Sequence, residues 1–245
     1  TVGDPGSGKS FSAKQRFIRS VAHHDDRIGV ILEPLNDWAG VAEALDAQRI
    51  TVGGTLGINP LEITPTPAHV RAQLGADASP FTEKKERVLS FLANFFAHRG
   101  ITLSDRRTTL EVAVEAAYRE AGITEDVNTH DRESPTLRDV IDILEAMVDD
   151  PESYTLRTDA EAAKLQADAT WLIDQLRPFG PAGQFAHLGR QSEVDFETAD
   201  LIYLDLAQQE GRVGGRTSLV MQLLISLVYE RAKQTDKEVV FVIDE

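Results

Sequence analysis

The feature that most restricts this chain is its opening stretch, Thr-Val-Gly-Asp-Pro-Gly-Ser-Gly-Lys-Ser. From Gly3 to Ser10 it satisfies the P-loop pattern G-x-x-x-x-G-K-[ST] without a mismatch. Glycines at Gly3, Gly6 and Gly8 let the backbone turn tightly and approach phosphate oxygens with no Cβ in the way. The loop Gly3-Asp4-Pro5-Gly6-Ser7-Gly8, with Lys9, Ser10 and Phe11 behind it, is therefore expected to bind a nucleotide. Its amides and those of the next helix N-terminus form a concave anion site. Lys9 can reach the β- and γ-phosphates, and the Ser10 hydroxyl can ligate Mg²⁺. The alternative is a glycine-rich turn that happens to end in Lys-Ser. Phe11 to Val21 speaks against it, because Phe11, Ala13, Phe17, Ile18 and Val21 give the helical pattern that must follow a P-loop.

The far end of the chain supplies the counterpart. Val239-Val240-Phe241-Val242-Ile243 is a continuous apolar run closed by Asp244-Glu245, as expected of a Walker B strand buried on both faces of a parallel sheet. Asp244 would hold Mg²⁺, directly or through water. Glu245 stands where a carboxylate can orient or deprotonate the attacking water. Lys9 and Glu245 are thus the expected catalytic residues, Ser10 and Asp244 the expected metal ligands, and ATP with Mg²⁺ the expected cofactors. Thr1-Val2 read as the tail of a strand feeding the P-loop, so both ends suggest a fragment of a larger protein.

Between these ends the periodicity changes twice. Arg27–Glu33 reads as a buried strand, Trp38–Ala47 as a short helix and Arg49–Val52 as another strand. From about Ala68 to Gln175 the pattern is helical, with helices expected over Phe81–His98, Leu103–Ala121, Thr136–Met147 and Arg157–Leu176. Thr82 is a candidate cap for the first, and Ser104 or Asp105 for the second. The polar segment Gly122–Ser134 reads as an exposed loop. Beyond the irregular stretch 179–189, Ala199–Leu206 reads as a strand and Thr217–Lys233 as an apolar helix leading to the last strand. Alternating strands and helices imply a mostly parallel α/β sheet flanked by helices, of the P-loop NTPase (RecA-like) class, with a large helical insertion. The expected divisions are 1–66 and 179–245 for the core and 67–178 for the insertion.

The 245 residues carry a net charge of −15, which argues against a surface given over wholly to nucleic acid. Cations are mostly arginine, 18 Arg against 7 Lys. That balance resembles proteins of salt-loving archaea, an ordinary acidic protein being the alternative. The absence of cysteine excludes disulfides and thiolate metal sites. The six histidines show no metal-ligand spacing. No run approaches the roughly 18 apolar residues a membrane-spanning helix requires. Trp38 and Tyr203 are expected to be packing residues.

The order of motifs resembles the conjugation and type IV secretion ATPases of the HerA/FtsK clan, the VirB/TraC-like motors. Gly3–Phe11, Val30–Trp38, Ile58–Ile63 with its Asn59-Pro60-Leu61, and Val239–Glu245 carry the resemblance. Glu33 stands where that family usually has Asp, and Asp37 where it usually has Glu, which leaves the roles of both open. The resemblance implies an ATPase subunit of a homo-oligomeric, six-membered ring. It would be cytoplasmic and peripheral at the inner face of the membrane, working with secretion or conjugation channel components and possibly DNA. Two other functions remain open: a DNA-pumping translocase or coupling protein, and a non-catalytic nucleotide-binding assembly module.

Overall fold

The computed structural model describes residues 9–33, 35–51, 57–65, 67, 79–154, 158–193, 199–205 and 215–243. In chain order the elements are α1 (Lys9–Val21), β1 (Arg27–Glu33), α2 (Ala39–Ala44), β2 (Gln48–Thr51), α3 (Pro80–His98), α4 (Arg107–Glu120), α5 (Leu137–Asp149), α6 (Asp159–Leu176), β3 (Leu201–Asp205), α7 (Gly215–Gln234) and β4 (Glu238–Ile243). They fall into two compact units. One lies before Gly57 and after Glu193, and the other is Gly57–Glu193. The divisions expected after residues 66 and 178 both fall inside the second unit.

The first unit is a four-stranded sheet in the order β2-β3-β1-β4, with every neighbouring pair parallel. β1 lies between β3 and β4, which is why its apolar run is buried along almost its whole length. Ile28, Val30 and Leu32 point to one face, Gly29 and Ile31 to the other. On that second face Phe17 of α1, Trp38 and Ala42 pack against Ile31 and Tyr203, with Val240 and Val242 beside them. Gly29 makes this approach feasible. A Cβ there would lie 2.9 Å from Phe17 Cζ and 2.4 Å from Leu201 Cδ1.

β4 departs from expectation. Its sequence predicts burial on both faces, yet its residues are only half buried and Ile243 is 55% exposed. The reason is its place in the sheet: among the described residues β4 pairs with β1 alone. α2 is shorter than the predicted Trp38–Ala47, because the chain leaves helical geometry at Leu45 and reaches a positive φ of 53° at Asp46.

The second unit is helical. α5 runs along α4 and α6, and the rings of Phe95, Phe179 and Phe185 meet at centroid separations of 4.6 to 5.9 Å. Several helix starts differ from expectation. α3 begins at Ser79-Pro80, where Ser79 Oγ accepts from the Thr82 amide, so Thr82 receives the cap rather than providing it. Ser104-Asp105-Arg106 forms a 3₁₀ turn, and neither Ser104 nor Asp105 caps α4. α5 opens on a capping box between Thr136 and Asp139. Segment 122–134 is largely exposed, as expected, with the side chains of Ile123, His130 and Ser134 buried within it. The Thr124 carbonyl partners His130 Nε2, and Ser134 Oγ accepts from the Ile63 amide.

Candidate functional site

Lys9 and Ser10 form the first turn of α1, a 13-residue helix with no acidic side chain in that turn. An N-terminus carrying partial positive charge and no carboxylate suits a phosphate group. The Ser10 side chain is exposed, as a ligand to an incoming metal must be, and Phe11 beside it is 66% exposed. Gly3, Asp4, Pro5, Gly6, Ser7, Gly8, Asp244 and Glu245 lie outside the described residues. β4 ends at Ile243, level with Leu32, one register step short of Glu33 on its neighbour. Among the described residues no group of three His, Asp or Glu side chains could hold a metal ion.

Behind the start of α1, the C-terminal ends of β1 and β3 carry two carboxylates side by side. Glu33 and Asp205 are register partners, 1% and 2% exposed. The carboxyl ends of strands are where open parallel sheets bind ligands. Both carboxylates are nevertheless occupied. Glu33 Oε2 accepts from the Leu35 amide at 2.8 Å. Glu33 Oε1 accepts from the Trp38 amide at 3.0 Å and from Tyr203 Oη at 2.8 Å. Asp205 Oδ2 receives a forked contact from Arg49, Nη2 at 2.6 Å and Nε at 3.1 Å.

Arg49 extends the cluster. Its Nη2 donates to Asn36 Oδ1 at 3.1 Å, and its guanidinium lies 5.6 Å from the centre of the Tyr203 ring. Asn36 adopts φ 62°, a left-handed conformation that asparagine tolerates better than most residues. Burial, then the hydrogen bond and charge of Glu33, push the Tyr203 phenol well above its ordinary range. The hydrogen bond to Asp205 raises the Arg49 guanidinium in turn.

The turn that Glu33 closes is also tied to α1. Lys14 Nζ donates to the Asp37 carbonyl at 2.5 Å and lies 5.7 Å from the Trp38 ring centre. Trp38, fully buried, meets Phe17 edge-on at 5.6 Å. Trp38 and Tyr203 are thus buried as expected of packing residues, and Tyr203 in addition donates to Glu33. Sequence reasoning left the role of Glu33 open and did not single out Lys14, Arg49 or Asp205. A carboxylate ending an apolar strand at Asp205, as at Glu33, was the available signal for one of them.

The Asn-Pro-Leu stretch serves the helical unit. Asn59 is fully buried; its Nδ2 donates to the Pro135 carbonyl and to Gln191 Oε1, and its Oδ1 accepts from the Leu61 amide. Its own amide donates to Ser192 Oγ. The same unit carries an open groove of about 790 Å³ whose lining includes the cations Arg99 and Arg177 and the carboxylates Glu145 and Asp174.

No protein-family model matches the sequence, and no curated protein matches it. Among solved structures it is similar to VirB4 of Thermoanaerobacter pseudethanolicus, with a TM-score of 0.77 at 20% identity. The likeness covers 99% of this chain and 59% of that one, so this chain spans little more than half of its structural neighbour. The fold is α/β of the P-loop NTPase type, as in VirB4.

Proposed function

We propose that this chain is the nucleotide-binding core of an ATP-hydrolysing motor subunit. The observation that carries the reading is an unbroken P-loop pattern running into α1, whose first turn bears no carboxylate and which packs on a parallel sheet. The fold shared with VirB4, together with the four motif stretches, supports a motor of the type IV secretion class. In this reading Gly3–Gly8 wrap the phosphates, Lys9 neutralises the β- and γ-phosphates, and Phe11 flanks the nucleotide. Ser10 and Asp244 hold Mg²⁺, which would neutralise charge on the phosphate oxygens. Glu245 orients the attacking water and takes up its proton. Positioning and charge neutralisation, rather than covalent catalysis, account for the rate. A ring of six copies at the inner face of the membrane, acting on secretion or conjugation components, completes the proposal.

Phosphate release by the whole protein tests it. Lys9→Ala should abolish turnover through loss of nucleotide binding. Glu245→Gln should retain bound ATP while slowing hydrolysis by about a hundredfold or more, the scale of a lost general base. Turnover in Glu245→Gln equal to the parent protein's would remove Glu245 from its role.

A further inference from the structure

The buried carboxylate of Glu33 holds the turn that meets α1. In a P-loop protein, a carboxylate at the end of the strand after the P-loop helix invites assignment as a second base. Its surroundings contradict that. Both oxygens are engaged by the Leu35 and Trp38 amides and the Tyr203 hydroxyl, and at 1% exposure no face is left for water. The amides close the turn 35–38 around the carboxylate. That turn delivers two groups to α1: the Asp37 carbonyl, which accepts from Lys14, and the Trp38 ring, which meets Phe17. Lys14 and Phe17 lie on one side of α1, three residues apart, and hold the helix behind its Lys9–Ser10 start.

We propose that Glu33 is a positioning residue: by closing the turn onto Lys14 and Phe17, it sets where the N-terminus of α1 sits and hence how well that end grips phosphate. The assignment rests on the nucleotide-binding reading above. It separates two acidic residues by job, Glu33 for geometry and, on that reading, Glu245 for proton transfer. Glutamine at position 33 keeps one acceptor but turns an amide N–H₂ toward donors that need an acceptor. Methionine at position 14 removes the ammonium from an exposed site while keeping much of the stem.

Two readouts test this. The first is the affinity of the whole protein for a fluorescent ATP analogue, together with KM and kcat. Glu33→Gln and Lys14→Met should each weaken binding about tenfold, equivalent to about 1.4 kcal/mol. The double variant should be little worse than either single one, because both act through one turn. KM should rise with kcat at saturation held within about twofold, the mark of lost uniform binding. The second readout is hydrogen exchange of the α1 amides without nucleotide, which should quicken in both variants.

A Glu33→Gln protein that binds ATP normally but has lost kcat would make Glu33 a base and overturn the proposal. Unchanged affinity and unchanged α1 exchange in a folded Lys14→Met protein would overturn it as well. If the parent chain bound no nucleotide, the ATP reading would fall. Exchange in α1 would then still decide whether Glu33 and Lys14 hold that helix.

Discussion

Among the described residues two polar clusters, each around a buried side chain, are built on different chemistry. At the strand ends of the first unit, Glu33, Asp205 and Arg49 are ionisable groups joined with Tyr203 and Asn36. In the second unit, Asn59, Gln191, Ser134 and Ser192 form a network around a central amide. The amide cluster holds segments 57–63, 134–135 and 191–193 together. The charged cluster reaches beyond itself, through the turn 35–38, to the helix that begins at Lys9. A buried network can therefore fix a fold or extend to a site, and the direction of its outgoing bonds distinguishes the two. Asn59-Pro60-Leu61 and Glu33-Pro34 look equally diagnostic in the sequence, yet the bonds described for Asn59 join parts of its own unit, whereas those of Glu33 close the turn that meets α1.

Asn59→Ala puts the strongest strain on this contrast. It leaves the Leu61 amide, the Pro135 carbonyl and the Gln191 amide oxygen without a buried partner, and should cost about 3 kcal/mol in urea unfolding. Nucleotide affinity of the folded protein should not move. A parallel loss of affinity would erase the division between the clusters. Arg49→Ala should cost less, about 2 kcal/mol, because Asp205 is buried but Arg49 is half exposed and its charge partly screened. In an Asp205→Asn background the same truncation should cost clearly less, which a double-mutant cycle would measure. Equal costs in both backgrounds would mean that the ion pair contributes nothing.

The smallest effect concerns pH. Burial, and secondarily the charge of Arg190, lower the His187 pKa below 6.5. The unfolded chain then takes up this proton first as pH falls. The corresponding stability is fully present above about pH 6.5 and declines below it, by no more than about 1.4 kcal/mol per pH unit. His187→Gln should flatten that part of a pH series of melting temperatures. An unchanged slope would show that His187 is not its source.

Much of the fold was legible. β1 declared itself by an apolar run that only a strand covered on both faces requires, and α1 by its spacing after the P-loop. β4 was legible as a strand but not as half exposed, since an apolar run does not tell how many neighbours a strand has; among the described residues β4 has β1 alone. The Thr136 cap was missed because its partner is Asp139, where the common pattern has Glu or Gln. Segment 122–134 was legible as exposed from its polar composition. Its three buried side chains were not, among them His130, which bonds to the Thr124 carbonyl. For the candidate site, the P-loop pattern is read from spacing alone, and its residues 3–8 lie outside the described ones. The Glu33–Tyr203 bond joins residues 170 positions apart, and no local pattern announces a contact of that range.

In the function proposed, the N-terminus of α1 binds nucleoside triphosphate through Lys9 and its neighbours. The most direct measurement is a calorimetric titration of Mg-ATP into this chain and into its Lys9→Ala variant. Saturable binding by the parent chain and its loss in the variant are the expected results. No heat of binding in the parent chain, or equal affinity in both, would contradict the proposal.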